Sequence, residues 1–286
     1  MFEIKLNKSI KKYNHEISGL DLLQEVDKSL RQNCVAIKIN EEIKDLSTVI
    51  NENSEIDFIF SSSPEGLDII RHDAAHILAQ AVKELYPKAM VAIGPVIQNG
   101  FYYDFANVEP FNEADLEKIE EKMQEIVNEK LAITRRVVTK EEAINFFQAQ
   151  GDKYKVEIIN DFPDGNEITI YTQGNFSDLC KGPHSQNTGV VKAFKLMKVA
   201  GAYWRGDSKN EMLQRIYGTA WSDKKQLRQY LTMLEEAEKR DHRKIGKQSD
   251  LFHFQEEAPG SVFWHPKGWN VFQRLIDYIR NKQNES

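Results

Sequence analysis

The sequence predicts an α+β protein of at least two compact units, on three observations. Its 286 residues and 33.1 kDa exceed a single small module at about 100–200 residues per domain. Hydrophobic residues at 41% and charged residues at 29% can build cores and do not resemble a solvated disordered chain. Short runs of apolar-polar alternation, the period of a half-buried strand, occur beside longer runs with helical spacing.

The elements follow in order. Phe2, Ile4 and Leu6 alternate with polar residues, as do Val35, Ile37 and Ile39, and Ile56, Phe58 and Phe60 close the first region. Between them Ser18, with Asp21 three residues on, caps a helix whose stripe is Leu20, Leu23, Val26 and Leu30. Strands around one helix suggest a β-grasp (ubiquitin-like) module over 1–62, with SSSPEG at 61–66 as a linker.

A second region, 63–221, opens with a helix from about Gly66 to Tyr86 that stops before Pro87, and continues into the Gly-punctuated strand VAIGPVIQNGFYYDF. Asn112 with Asp115 and Thr139 with Glu142 cap two further helices, and strands are expected at 167–172 and 190–199. Leu227, Leu231 and Leu234 mark a connecting helix over 222–242. The remainder, 243–286, is too short for its own core yet carries Trp269, Phe272, Leu275, Ile276 and Ile279 on an amphipathic helix. Disorder, self-association or packing onto the preceding domain is expected there, with the chain monomeric or weakly self-associating.

No run of about 18 apolar residues occurs, and the N-terminus alternates where a secretory signal would be continuously apolar, so membrane spanning and secretion are disfavoured. Two cysteines, Cys34 and Cys180, exclude a disulfide framework and favour a reducing compartment, the cytoplasm. The net charge is -6, so a nucleic-acid partner has to be met locally. Residues 181–215 carry seven basic side chains against two acidic ones, net +5.

The sharpest motif is RHDAAH, which sets His72 and His76 at i and i+4 on one helix face. Both project away from the stripe of Ile70, Ala74, Ile77, Leu78 and Ala81, which makes them poor candidates for core histidines. About a hundred residues later DLCKGPH sets Cys180 and His184 four apart beside a Gly-Pro turn. Three imidazoles and a thiolate are the ligand types of a tetrahedral zinc site. Equally, they could line a polar pocket in which histidine acts as acid or base near neutral pH. HExxH is absent, because Asp73 follows His72, and spacing alone does not choose between the two readings.

RHDAAH, AIGPVIQNGFYYDF, YKVEII, DLCKGPH, FKLMKVAGAYWRGDSKNEMLQRIYGTAW and RDHRKIGKQSDLFHFQEEAPGSVFWHPKGW, in this order and spacing, resemble the N-terminal half of bacterial threonyl-tRNA synthetases over about residues 64–280. Residues 1–62 resemble the family's TGS domain more loosely and lack its usual Pro-Asp-Gly turn near the start. The resemblance implies a TGS domain, an editing domain that hydrolyses seryl-tRNA(Thr), a linker helix and the start of a class II catalytic domain. The family's ATP-binding motifs and catalytic zinc ligands have no counterpart in this sequence, so neither ATP use nor ligation is expected of it. Full-length relatives are homodimers.

The same resemblance makes His72, His76, Cys180, His184, Lys155 and Asp178 the catalytic set, with Tyr103 lining the pocket. On this reading His72 and His184 position or activate water. Lys155 and Asp178 bind the serine amino group, the terminal ribose and the water, and Cys180 with His76 forms the wall that threonine's methyl strikes. Lys198, Tyr203, Trp204 and Arg205, in the basic stretch, would meet the acceptor end of the tRNA, together with Phe194. The family's editing is metal-free. Related alanyl-tRNA editing domains with a similar His/Cys set hold zinc, so His72, His76, Cys180 and His184 are the alternative zinc ligands. Editing is needed because one methyl is worth only about 1–3 kcal/mol, roughly 10–200-fold, of discrimination.

Overall fold

The computed structural model describes residues 1–6, 9–163 and 165–285. The chain divides into two compact units, Met1–Leu227 and Arg228–Ser286.

The first unit begins with strands β1 (Phe2–Leu6), β2 (Ser9–Tyr13) and β3 (Ile17–Ser18), helix α1 (Gly19–Val26), then β4 (Cys34–Ile39), β5 (Glu42–Lys44), β6 (Val49–Ile50) and β7 (Ser54–Phe60). The main sheet has the order β2-β1-β7-β4-β5, with β1 and β7 parallel and the other pairs antiparallel. The alternation of Phe2, Ile4 and Leu6 becomes one buried face, and Leu22 and Leu23 of α1 pack on it. Ser18 caps α1 by accepting from the Asp21 N–H, as the sequence predicts.

Helix α2 (Pro64–Leu85) follows at once. The SSSPEG stretch is therefore not a linker: Ser63 accepts from the Gly66 N–H and Pro64 occupies the first helical turn, where its missing N–H costs nothing. Next come β8 (Met90–Val91), β9 (Val96–Ile97), β10 (Gly100–Ala106), α3 (Glu113–Glu129), β11 (Ile133–Val138), α4 (Lys140–Ala149) and α5 (Lys153–Asn160). Asn112 and Thr139 each form a complete capping box, with Asp115 and Glu142. The unit continues through β12 (Ile168–Gln173), β13 (Phe176–Leu179), β14 (Ala193–Tyr203) and β15 (Met212–Trp221).

Two sheets result, one ordered β14-β15-β10-β8 with β9 beside β10, the other β11-β12-β13, all pairs antiparallel. Helix α2 is the hub. Its Ile70, Ala74, Ile77, Leu78 and Ala81 share one core with Phe101, Tyr103 and Phe105 of β10, Ile119, Met123 and Ile126 of α3, and Val35, Ala36 and Ile59 of the N-terminal sheet. Fourteen of its 22 residues are buried, His76 among them, so the reading of both histidines as poor core candidates is corrected for His76. His76 is 4% exposed because β13, with Phe176 and Asp178, covers the side opposite the apolar stripe.

Helix α6 (Lys224–Lys239) spans the boundary between the units and has no buried residue. Beyond it lie α7 (His242–Gln248), a hairpin of β16 (Phe252–His253) and β17 (Phe263–Trp264), and α8 (Pro266–Glu285). Trp264 stacks on Phe272 at 4.9 Å, and the close approach of α8 to the Leu251 carbonyl needs Gly268, where a Cβ would lie 1.8 Å from that oxygen. Helix α8 is continuous, and Trp269, Leu275 and Ile279 on it are exposed.

Candidate active site

Four elements deliver the chemistry to one cavity of about 170 Å³, the liquid volume of roughly five or six waters. Helix α2 presents His72 and His76, β10 presents Tyr103, α5 presents Lys155, and β13 with the turn after it presents Asp178, Cys180 and His184. His72, His76, Lys155, Asp178 and Cys180 line the cavity together with Gly94, Thr169 and Lys181, whereas Tyr103, expected in the lining, and His184 are buried behind it, bonded to Asp178 and Cys180. The turn carrying Cys180 is tied to β12: the Cys180 N–H donates to the Thr169 carbonyl, and the Thr169 hydroxyl donates to the Cys180 carbonyl.

The Cys180 sulfur is the centre of one cluster. It lies 3.1 Å from His72 Nε2 and 3.2 Å from His184 Nε2, and the Gly182 N–H donates to it at 3.2 Å. Burial alone would raise this thiol, but the two imidazoles outweigh burial and bring it down to about 6. His184 moves the other way: burial would lower it, yet the sulfur and the Asp73 carboxylate, 2.7 Å from its Nδ1, lift it to about 10. At neutral pH the pair is thus a thiolate and an imidazolium. Burial and the neighbouring positive His184 push His72 down and take His76 to about 3, so both stay neutral.

A second cluster adjoins the first. The Tyr103 hydroxyl donates to Asp178 Oδ2 at 2.5 Å and accepts from Lys155 Nζ at 3.0 Å, and Lys155 is also ion-paired with Asp178. Burial would raise Asp178, but Lys155, His76 and the Tyr103 hydroxyl together hold it below the usual carboxylate range. Burial and the Asp178 charge keep Tyr103 protonated, well above its ordinary value. His76 Nε2 stands 3.6 Å from Asp178 Oδ2 and joins the two clusters.

Lys198, Tyr203, Trp204 and Arg205 do not reach this cavity. Lys198 lies over the Tyr217 ring at 4.9 Å, and the Tyr203 side chain is exposed. Trp204 is buried, with its indole N–H donating to Glu157, and Arg205 pairs with Glu157 and Asp161. Both acceptors sit on or next to α5, so these residues brace the helix that carries Lys155. Phe194 is likewise in the core. Of the seven basic residues in 181–215, Lys195, Arg205 and Arg215 are spent in ion pairs, which dilutes the expected patch.

Asp73, 0% exposed, lies inside RHDAAH, where the sequence marks it only as the residue that breaks HExxH. Asp45 and Tyr171 carried no sequence signal. They meet His184 only through the tertiary fold, Asp45 accepting from the His184 N–H and the Tyr171 ring lying tilted beside the imidazole.

The four ligand atoms of His72, His76, Cys180 and His184 lie within 4.8 Å of one another. In chemistry this donor set fits zinc, whose bonds of about 2.0–2.3 Å place neighbouring tetrahedral ligands about 3.5 Å apart. The Asp73 carboxylate behind His184 is the kind of partner that orients a metal-bound imidazole.

Residues 168–217 match the family model described as the threonyl and alanyl tRNA synthetase second additional domain. A protein named threonine–tRNA ligase from Parvibaculum lavamentivorans is 54% identical over 284 residues, 99% of this chain and 44% of its own length. Proteins of the same name from Burkholderia multivorans and Rickettsia typhi are each 55% identical over 278 residues, 97% of this chain and 44% of their own. The chain therefore spans less than half the length of the curated relatives it matches.

Proposed function

We propose that this chain, 54–55% identical to threonine–tRNA ligases over the share of those proteins that it spans, carries in its cavity a proofreading site that hydrolyses the seryl ester of tRNA(Thr). The observation that carries this reading is the convergence of His72, His76, Cys180, Lys155 and Asp178 on one small cavity, with His184 and Tyr103 hydrogen-bonded behind Cys180 and Asp178. In these terms residues 1–62 are the TGS domain, 63–221 the editing domain, 222–242 the linker helix and 243–286 the start of the class II catalytic domain. Work on charged tRNA assigns the chain to the cytoplasm, where that substrate is made.

Hydrolysis needs a water at the ester carbonyl, a proton acceptor, a stabiliser of the developing oxyanion and a proton for the leaving ribose oxygen. His72 is the acceptor. Its Nε2–H is committed to the Cys180 sulfur, which leaves Nδ1 as the lone pair. His184 cannot serve, because Asp73 and Cys180 occupy both its nitrogens and it is already charged. The Asp178 carboxylate receives the serine ammonium, and Lys155 donates to the oxyanion and, through a water, gives a proton to the leaving ribose oxygen; the proton taken up by His72 and that released by the new carboxylic acid restore both groups through solvent. Cys180 and His76, which both line the cavity, form the wall that excludes threonine's extra methyl.

A zinc-bound site is the second reading, favoured by the four clustered donors and the Asp73 behind His184. A zinc ion there would polarise a water only if one of the four residues released it, since four protein ligands make a closed, structural site. The test is release of serine and of threonine from separately charged tRNA(Thr), with and without a zinc chelator. Fast serine release, slow threonine release and no chelator effect support metal-free proofreading. Chelator-sensitive release supports zinc, and unchanged serine release by His72→Ala overturns the assigned base.

A further inference from the structure

Asp45 follows β5 in the N-terminal sheet region, and its carboxylate is buried. Its Oδ1 accepts from the His184 N–H at 2.7 Å and its Oδ2 from the Tyr171 hydroxyl at 2.7 Å, across 139 and 126 residues of sequence. Tyr171 is itself fitted to the site. Its ring lies 4.5 Å from the His184 imidazole, and its hydroxyl fills the space left by Gly182, where φ is +72° and a Cβ would sit 2.1 Å from that oxygen. Beside it, Gln186 donates to the Cys34 carbonyl of β4 at 3.0 Å. Two donors from the hydrolytic site thus converge on one carboxylate of the N-terminal module.

We infer that the N-terminal module is a working part of the hydrolytic site, and that Asp45 is the positioning residue through which it acts. Asp73 holds the His184 ring, whereas Asp45 holds its backbone and, through Tyr171, the surface against which the ring packs. The contact between His184 and the Cys180 sulfur therefore depends on a residue that touches neither the cavity nor the substrate. An apolar side chain at 45 would leave two buried donors without partners and release the 180–186 turn. A shift of about 1 Å in a catalytic group costs on the order of 100-fold in rate.

This inference rests on the hydrolytic reading for its kinetic arm, and a second arm keeps the two separable. In the full chain, Asp45→Ala, Asp45→Asn, Tyr171→Phe and the surface control Lys44→Ala are compared for single-turnover serine release from seryl-tRNA(Thr), and for hydrogen exchange of segment 180–186. Asp45→Ala is expected to lower the rate by about 10–100-fold with half-saturation little changed. It is also expected to speed exchange in 180–186 while α2 stays protected. Asp45→Asn keeps the shape and one acceptor, so it falls between wild type and alanine, and Lys44→Ala matches wild type.

Wild-type rate and wild-type exchange in Asp45→Ala overturn the inference and leave the hydrolytic reading standing. Should the wild-type chain release no serine, the hydrolytic reading fails and the exchange arm alone decides Asp45. Should Asp45→Ala not fold, wild-type rate and exchange in both Asp45→Asn and Tyr171→Phe overturn it.

Discussion

The Nδ1 of His184 lies 2.7 Å from Oδ1 of Asp73, a carboxylate on α2 that is wholly shielded from solvent and 111 residues earlier in the chain. The Ser185 N–H also donates to both Asp73 oxygens at 3.3 Å. Helix α2 thus holds the Cys180–His184 turn as well as supplying His72 and His76 to it.

Removing Asp73 leaves a buried imidazolium without its partner. Asp73→Ala is expected to destabilise the first unit by about 3–5 kcal/mol, with Asp73→Asn costing less because an amide oxygen can still accept from Nδ1. Urea unfolding measures both. An alanine variant within about 1 kcal/mol of wild type would mean that this pair is not ionised in the fold.

Cys180, held down to about 6, should be alkylated by iodoacetamide with a midpoint near that pH, whereas Cys34, buried and pushed up to about 12, stays inert as an internal control. His184→Ala should move the midpoint back toward the ordinary thiol value. A midpoint near 9 in the wild type would remove the thiolate from the mechanism.

The same shifts set the pH dependence of stability. His184 is raised from 6.5 to about 10, so its contribution is complete below 6.5 and is lost as pH rises through 10. Cys180 is lowered from 9.0 to about 6, so its contribution is complete above 9 and is lost as pH falls through 6. Between about 6.5 and 9 the two slopes cancel, and this pair leaves stability flat. Urea midpoints across pH 6 to 10 should show that plateau with a fall toward 10, and Cys180→Ala should abolish it.

Tyr103→Phe deletes the hydroxyl that bridges Lys155 and Asp178. It is expected to cost about 1–3 kcal/mol of stability by leaving buried polar atoms unpaired, and to lower serine release about 10-fold. Gly94→Ala should perturb the same ring sterically, so the two variants together should lose less than the sum of their separate effects, a coupling that a double-mutant cycle reads.

Trp204→Ala separates two roles. A stacking platform for nucleic acid would raise half-saturation and leave stability alone. A brace on α5 instead predicts a loss of about 3–5 kcal/mol and a slower hydrolytic step through displaced Lys155. The second outcome is expected, because Trp204 is 7% exposed and its indole N–H is bonded to Glu157 at 3.1 Å.

Much of this was legible in local sequence, because local rules act over a few residues. Ser18, Asn112 and Thr139 cap helices through donors three positions away, and the strand alternation of Phe2, Ile4 and Leu6 needs only a pleat and one buried face. The spacings of RHDAAH and DLCKGPH likewise carry the geometry within each pair, while the two pairs meet because β13 packs against α2. What the chain alone left open was whether that set is solvated, buried or metal-bound, and where the aromatic and basic residues after it would point.

Tertiary structure decided those points, since they depend on which surfaces cover which. Helix α2 reads as two-faced, but β13 closes its polar face and gives four imidazole and thiol groups low-dielectric surroundings in which they divide their protons. Trp204 and Arg205 read as a nucleic-acid surface, but Glu157 and Asp161, more than forty residues upstream, take them up. Asp45 and Tyr171 reach His184 over separations that no periodicity encodes. Short-range hydrogen bonding and side-chain period wrote the elements and the motif spacing into the sequence. The charge states and the supports of the site arise from burial, a property of the whole packed unit.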